Sequence, residues 1–303
     1  MPERDRPEPG APPADVLPAV EAAVQEALNS GREDHLRVLG HGEISLVVGW
    51  PTDDPVAACK RLPVFPSAVA ADGYADVFSR YLTTLDQRGL HVVPSTLHFL
   101  SLGLGGRLVG YVVQPVLPAA CLGPVILRSA APDPDHPLVA AVVEGVLGAV
   151  DARTGLDAQI SNWALVDGVA QYLDVTTPIL YGEHGLELDV DVLSAAYPWV
   201  LRPALRRFAA PPIAAAYCDR RTVLLDIAAN LHKERLADWI PAVLEAANRA
   251  LTAPITTQEV DRYYRSNARL WEVMLRLRRA DRWWQRRVRR RTYPFLLPGP
   301  TRR

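Results

Sequence analysis

The chain has 303 residues and is 49% hydrophobic, so it is long enough to bury a full core in one two-lobed unit or in two small domains. No apolar run approaches 18 residues, and no basic segment precedes an apolar core, so we expect neither a membrane-spanning helix nor a secretory signal. The three cysteines are far apart and lack metal-ligand spacing, which is typical of reduced thiols, and we predict a cytoplasmic protein.

The N-terminal part predicts a tail followed by a helix. Residues 1–14 are rich in proline and charge, which is typical of disorder. The next apolar residues lie on one helical stripe, namely Leu17, Val20, Val24 and Leu28. Asp15 is a candidate N-cap for this helix, and Ser30 with Gly31 is expected to end it.

A glycine-containing turn joins two predicted strands after this helix. Gly40 and Gly42 lie between the aliphatic run ending at Leu39 and the one beginning at Ile44. Glycines let backbone amides approach a ligand closely, although most Gly-x-Gly pairs only turn a hairpin.

Lys60 lies 18 residues after Gly42, on the next predicted strand. The chain has only two lysines, Lys60 and Lys233, among 33 basic residues. A lysine ammonium is a compact point charge that arginine does not mimic. Lys60 is therefore either a phosphate-binding residue that acts with the glycine turn or an ordinary surface lysine.

The segments after Lys60 predict alternating helices and strands. Residues 68–89 predict a helix, and residues 97–102 and 107–113 predict strands joined by a glycine-rich turn. Residues 138–150 predict an apolar helix that leads into the loop of Asp157.

Asp157 to Asp174 form the sharpest pattern in the chain. The dipeptide at 167–168 is Asp-Gly between two apolar runs, which predicts a two-residue hairpin turn. This hairpin would bring Asn162 and Asp174 together, with Asp157 as a nearby proton acceptor. Because Mg²⁺ prefers hard oxygen ligands on a few side chains, one interpretation of this segment is a Mg²⁺ site. The alternative interpretation is a surface hairpin with ordinary polar ends.

The order of a glycine-rich turn, a strand lysine, Asp-x-x-x-x-Asn and an Asp after a hairpin resembles the protein-kinase-like superfamily. The run from Asn162 to Asp174 is closer to the aminoglycoside and choline phosphotransferases than to Ser/Thr kinases. The whole also resembles a group of uncharacterised bacterial and archaeal kinase-like proteins. The motifs cover about residues 35–180.

This resemblance implies an α+β, bilobal, protein-kinase-like fold. A small β-rich N-lobe with a leading helix would span residues 15–113, a hinge residues 114–118, and a larger, mainly helical C-lobe residues 119–303. It also implies ATP and Mg²⁺ as cofactors.

The same resemblance implies roles for particular residues. Lys60 would contact the α- and β-phosphates, and Asp157 would orient or deprotonate an acceptor hydroxyl as the second catalytic residue. Asn162 and Asp174 would hold Mg²⁺. The implied cofactor-binding residues are Gly40, His41, Gly42, Ser45, Lys60 and Gln114.

Some residues depart from the family pattern. Ser45 replaces the third glycine of the turn, a histidine is missing before Asp157, and Phe-Gly does not follow Asp174. The helix after Lys60 offers Asp76 rather than a glutamate as the partner of the lysine. Three interpretations stay open: a phosphotransferase acting on a hydroxyl of an unidentified small molecule, a catalytically inactive nucleotide-sensing or scaffold protein, and a nucleotidyl transferase.

The C-terminal segment is strongly basic. From Arg262 to Arg303 there are 14 arginines against 2 acids, a net charge of +12, whereas the preceding residues carry −13. Apolar spacing predicts an amphipathic helix at least through Leu277. This segment would either bind an anionic partner, such as lipid, nucleic acid or a phosphorylated substrate, or pack its aromatic residues on an acidic large lobe.

Overall fold

The computed structural model describes residues 14–41, 45–103, 105–194, 197–198, 201–204, 207, 210–293 and 295. The predicted tail up to residue 13 and Gly42 of the predicted turn therefore lie outside the described residues. The chain divides into two compact units. The sheet unit comprises Met1–Gly73, Val93–Val116 and Asp281–Arg302, and the helical unit comprises Tyr74–Val92, Leu117–Ala280 and Arg303.

Five antiparallel strands form the sheet unit. They are β1 (Val38–His41), β2 (Leu46–Trp50), β3 (Ala57–Phe65), β4 (Thr96–Ser101) and β5 (Leu108–Pro115). Their order in the sheet is β1-β2-β3-β5-β4, and every neighbouring pair is antiparallel. Helix α2 (Ala68–Gln87) lies between β3 and β4 in the chain, which is the element order expected of a kinase-like small lobe.

Helix α1 (Leu17–Ser30) covers one face of this sheet. The predicted stripe of four apolar residues is buried, and it packs with β2, β3 and β5. The helix ends as predicted, because Gly31 adopts a left-handed φ of 76° and its N–H donates to the Ala27 carbonyl at 2.8 Å. The predicted Asp15 cap is wrong: a 3₁₀ turn (Ala14–Val16) leads into α1, and no described side chain caps the start of this helix.

A buried ion pair joins α1 to the sheet. Arg61 of β3 donates to both carboxylate oxygens of Glu21, at 2.8 and 2.9 Å. Gln25 and the Tyr111 hydroxyl also donate to Glu21. Burial alone would raise the pKa of Glu21, but the hydrogen bonds and charge of Arg61 outweigh it and lower the pKa. The carboxylate therefore stays ionised within the core of the sheet unit.

We expect the substitution Glu21→Gln to destabilise the protein by about 3–5 kcal/mol, because it leaves Arg61 buried without a counter-charge. Glu21 and Arg61 are only 6% and 5% exposed, so water cannot replace the lost partner. Urea unfolding measures the difference, with Glu26→Gln on the exposed face of α1 as the matched control. A loss below about 1 kcal/mol would contradict a structural role for the pair.

Helices dominate the helical unit, which also contains most of α2. They are α3 (Gly123–Ser129), α4 (Pro137–Ala149), α5 (Val190–Ser194), α6 (Arg202–Ala204), α7 (Ala210–Tyr217), α8 (Arg220–Lys233), α9 (Ile240–Asn248) and α10 (Thr257–Arg287), the last of which continues into the sheet unit. Helix α4 forms where an apolar helix is predicted, six of its apolar residues are buried, and it contacts α8 and α9. A sheet-rich unit and a mainly helical unit confirm the predicted α+β fold class.

Two short hairpins complete the helical unit. They are β6 (Trp163–Val166) with β7 (Val169–Tyr172), and β8 (Tyr181–Gly182) with β9 (Gly185–Leu186). Within the described ranges, no helix is both long enough and apolar enough to cross a membrane.

Candidate active site

The loop from Asp157 to Asn162 is closed by hydrogen bonds to its own backbone. The Asn162 amide Nδ2 donates to the Asp157 carbonyl at 2.8 Å, and the Tyr172 hydroxyl donates to the same carbonyl at 3.0 Å. The indole of buried Trp163 donates to the Ala158 carbonyl at 3.1 Å. The five-residue spacing therefore allows Asn162 to turn back and fix the start of the loop.

The segment before Asp157 is held by three separate parts of the helical unit. The Gly155 N–H donates to the Ile179 carbonyl at 2.9 Å, and the Leu156 N–H donates to the Tyr217 carbonyl at 3.1 Å. The Tyr81 hydroxyl of α2 donates to the Gly155 carbonyl at 2.9 Å. A Cβ at Gly155 would lie 2.6 Å from Ile179 Cγ2, so only glycine permits this close approach.

The predicted hairpin forms between β6 and β7. Asp167 and Gly168 both adopt positive φ, 50° and 79°, as the tight turn requires. Beyond the paired strands, the Leu173 N–H donates to the Asn162 carbonyl at 2.8 Å. The structure thus brings Asn162 beside the residue that precedes Asp174.

Asp174 is oriented by a threonine that sequence reasoning missed. Its Oδ1 accepts hydrogen bonds from the Thr176 hydroxyl at 2.7 Å and from the Thr176 N–H at 3.2 Å. Thr176 is buried, and its carbonyl accepts a hydrogen bond from the Tyr74 hydroxyl at 2.9 Å. Thr176, two residues after Asp174, therefore fixes the carboxylate where the protein-kinase pattern has Phe-Gly.

The side-chain oxygens at this site suit a hard cation. Because Asn162 Nδ2 donates to the loop backbone, its Oδ1 points away from that bond, and no donor within the described residues reaches it. Asp174 adds a carboxylate directly after Leu173, whose N–H donates to the Asn162 carbonyl. The described part of the chain holds no cluster of three or more His, Cys, Asp or Glu side chains that would bind a metal. A two-residue oxygen set fits Mg²⁺, which keeps several waters and binds substrate phosphates.

The Asp157 carboxylate is clamped by a glutamine. Gln159 Nε2 donates to both carboxylate oxygens at 3.0 Å, and Gln159 Oε1 accepts from Lys233 Nζ at 3.3 Å. Burial, followed by the negative charges of Asp174 and Asp226, raises the pKa of Asp157 to about 7. The Gln159 hydrogen bond and the Lys233 charge act in the opposite direction.

A third carboxylate, Asp226 of α8, adds to the negative charge around Asp157. Burial raises its pKa, while a hydrogen bond with Tyr263 and the Lys233 charge lower it. Asn230 Nδ2 donates to its Oδ2 at 2.7 Å. The electrostatic influence of Asp174 and Asp226 on Asp157 therefore makes this part of the helical unit a favourable environment for a cation.

Lys233 is the second residue that sequence reasoning missed. It ends α8, and the next residue, Glu234, accepts a hydrogen bond from the Ser161 N–H at 2.9 Å, which ties the end of α8 to the Asp157 loop. One signal was present in the sequence: Lys60 and Lys233 are the only lysines of an arginine-rich chain. Nothing local connects Lys233 to Gln159, since 74 residues separate them.

In the sheet unit, Lys60 and Gln114 lie on the same face of the sheet. Lys60 of β3 pairs with Val112 of β5, and Ala58 pairs with Gln114. Since side chains alternate along a strand, this face is opposite to the one that carries Cys59 and α1. Gln114 is buried, and its Nε2 donates to the Ser95 hydroxyl at 2.8 Å.

The described residues of the glycine turn belong to the first two strands. Gly40 and His41 end β1, where they pair with Val47 and Leu46 of β2, and Ser45 directly precedes β2. The backbone of Gly40 and His41 is thus ordered by the sheet. Cofactor binding by this turn stays a prediction.

Asp76, the predicted partner of Lys60, carries an ion pair with Arg80 in the helical unit. Arg80 Nη2 lies 2.9 Å from the Asp76 carboxylate, one helical turn further along α2. Arg80 also pairs with Glu187. Pairing of Asp76 with Lys60 stays a prediction, and it would have to compete with Arg80.

The fold is α+β with the strand and helix order of a kinase-like small lobe. By sequence, the chain belongs to the DUF6206 family, which is described as a family of unknown function. The sequence model of this family matches residues 19–282. Comparison with curated proteins gives no significant match. A solved structure of WaaP in complex with acyl carrier protein is similar, with 15% identity, 84% of this chain and 91% of that chain covered, and a TM-score of 0.33.

Proposed function

We propose that the protein is an ATP- and Mg²⁺-dependent phosphotransferase that acts on a hydroxyl of a small molecule. One observation carries the proposal: the Asn162 side chain closes the Asp157 loop, and the Leu173 N–H bonds to the Asn162 carbonyl just before Asp174. A general base and two oxygen ligands are the set that phosphoryl transfer requires, because this chemistry depends on positioning and charge neutralisation.

The roles follow from the chemistry of each group. The Asp157 carboxylate, held by Gln159, accepts the proton of the acceptor hydroxyl while the hydroxyl oxygen bonds to the γ-phosphorus and the bond to the ADP oxygen breaks. Asn162 Oδ1 and Asp174 hold Mg²⁺, which when bound neutralises charge on the phosphates. Lys60 contacts the α- and β-phosphates, and Lys233 orients Gln159.

The second candidate is a nucleotide-sensing protein without catalysis. It is favoured by the departures of the chain from the protein-kinase pattern, because Ser45 replaces the third glycine of the turn and no histidine lies just before Asp157. Such a protein would bind ATP without consuming it.

Thermal unfolding with ATP alone, Mg²⁺ alone and both together tests the proposal first. We expect stabilisation that needs both, because a ligand at 100 times its dissociation constant adds about 2.7 kcal/mol to the folded state. An acceptor screen with product mass then distinguishes addition of phosphate from addition of AMP.

Two outcomes would contradict the proposal. Stabilisation by ATP that is unchanged by Mg²⁺, without ATP consumption, would favour the sensor. Addition of AMP to an acceptor would identify a nucleotidyl transferase instead.

A further inference from the structure

Helix α10 presents apolar side chains to solvent within the helical unit. Leu270, Val273 and Leu277 are 56%, 51% and 39% exposed. Because they are three and four residues apart, they lie on one face of the helix. The buried residues of α10, namely Val260, Leu275 and Arg278, mark a different face. The three exposed residues are called the apolar stripe.

Arginines border the apolar stripe. Arg269 lies four residues before Val273 and Arg276 three residues after it, so both are helical neighbours of Val273, and both are exposed. From residue 262 to residue 280 there are six arginines and a single acid, Glu272, which gives this stretch a net charge of +5. The arginines of this stretch are Arg262, Arg265, Arg269, Arg276, Arg278 and Arg279.

We propose that this face of α10 docks on an anionic lipid surface, with the apolar stripe entering the headgroup region and the arginines contacting lipid phosphates. The inference is independent of the phosphotransferase function. Leu and Val beside arginines on one helix are the composition of an interfacial helix, and their arginine stems can lie along the apolar surface while the guanidinium groups reach anionic headgroups.

Charge complementarity distinguishes this partner from the other candidates. Without the buried Arg278 the stretch carries +4, and a second copy of the chain would bring two such positive surfaces together, which like-charge repulsion disfavours. Nucleic acid would be held by arginines and by aromatic stacking, and neither uses an exposed row of Leu and Val. An anionic bilayer uses both the arginines and the apolar stripe.

Sedimentation of the full chain with vesicles tests the proposal. We expect binding to vesicles of equal parts phosphatidylcholine and phosphatidylglycerol, about tenfold or more weaker binding to phosphatidylcholine alone, and weakening by added salt. Val273→Gln combined with Leu270→Gln should weaken binding about tenfold, since it removes apolar area that enters the bilayer.

Matched variants separate this surface from a general effect. Val69→Gln makes the same change at a valine of α2 that is 81% exposed, and it should bind as the wild type does. Arg269→Gln should weaken binding, whereas Arg107→Gln, at an exposed arginine of the sheet unit, should not. Unfolding temperatures are expected to match across all four variants, because each changed side chain is exposed.

Other results would overturn the proposal. These are equal binding to neutral and anionic vesicles, failure to bind either, or binding unaffected by the change at Leu270 and Val273. Oligomers in sedimentation velocity that dissociate in that variant would identify a second copy as the partner. Binding of polyglutamate or of single-stranded DNA in preference to anionic vesicles would identify an acidic protein or a nucleic acid.

Discussion

Asp174→Asn is expected to reduce phosphoryl transfer about a thousandfold without unfolding the protein. The substitution removes one negative charge from the proposed Mg²⁺ site, and charge stabilisation of several kcal/mol corresponds to about that factor. An asparagine oxygen can still accept both hydrogen bonds from Thr176, so the local backbone is expected to persist. The measurement is ATP consumption, first as slow release of inorganic phosphate to water and then with an acceptor found by screening.

Asp167→Asn is the matched control for this change. It makes the same substitution at the other end of the hairpin, in an exposed turn where Asn-Gly is as favourable as Asp-Gly. We expect unchanged ATP consumption and an unchanged unfolding temperature. Wild-type turnover by Asp174→Asn, at matched stability, would exclude Asp174 from the catalytic site.

Asp157→Asn is expected to stabilise the ligand-free protein above pH 7 and to give little or no stabilisation near pH 4. The pKa of Asp157 is raised from 3.8 to about 7, first by burial and then by the charges of Asp174 and Asp226. A raised pKa means that the folded protein favours the protonated acid. The stability contributed by Asp157 is therefore fully present below about pH 4 and lost as the pH rises to about 7.

An upper bound on this effect comes from the pKa difference. About three pKa units at 1.36 kcal/mol each correspond to about 4 kcal/mol. Asp157 is only partly buried, and this solvent access reduces the effect. The asparagine also turns one carboxylate oxygen into a donor that faces Gln159, which offsets part of the gain. Urea unfolding in EDTA at pH 4, 6 and 8 measures the net difference.

Lys233 supplies the control for the electrostatic origin of this effect. The positive charge of Lys233 lowers the pKa of Asp157, so Lys233→Met should raise this pKa and extend the loss of stability to higher pH. Lys233→Arg keeps the charge and should behave as the wild type does. Parallel pH profiles for Asp157→Asn and the wild type would show that Asp157 titrates normally and would remove this explanation.

Local sequence patterns predicted the elements that frame the site. The apolar stripe of α1, its end at Gly31 and the Asp167-Gly168 turn depend on side-chain periodicity and on backbone conformations that a few neighbouring residues determine. The predicted cap at Asp15 failed because a 3₁₀ turn precedes the helix and directs the chain differently there. Helix starts depend on the preceding backbone as well as on the capping residue.

Long-range pairings were not predictable in the same way. Arg61 finds Glu21 across 40 residues, and Lys233 finds Gln159 across 74. Each pairing depends on the packing of a helix against a strand or a loop. Residue type alone cannot identify the partner, because many other charged residues of the chain could form the same kind of bond. The bond from Thr176 to Asp174 is local, but it was missed because the protein-kinase pattern has Phe-Gly at these positions and therefore offers no side-chain donor to the aspartate.

The sequence by itself determined the α+β class, the closed hairpin and the spacing that lets Asn162 reach the Asp157 backbone, since these depend on contacts within about twenty residues. Only the tertiary structure decided which charges surround Asp157. Burial and the carboxylates of Asp174 and Asp226 set its pKa, and Asp226 reaches the loop because α8 packs against it. The same holds for α10: its amphipathic pattern is present in the sequence, but only packing decides which apolar residues are buried and which stay exposed.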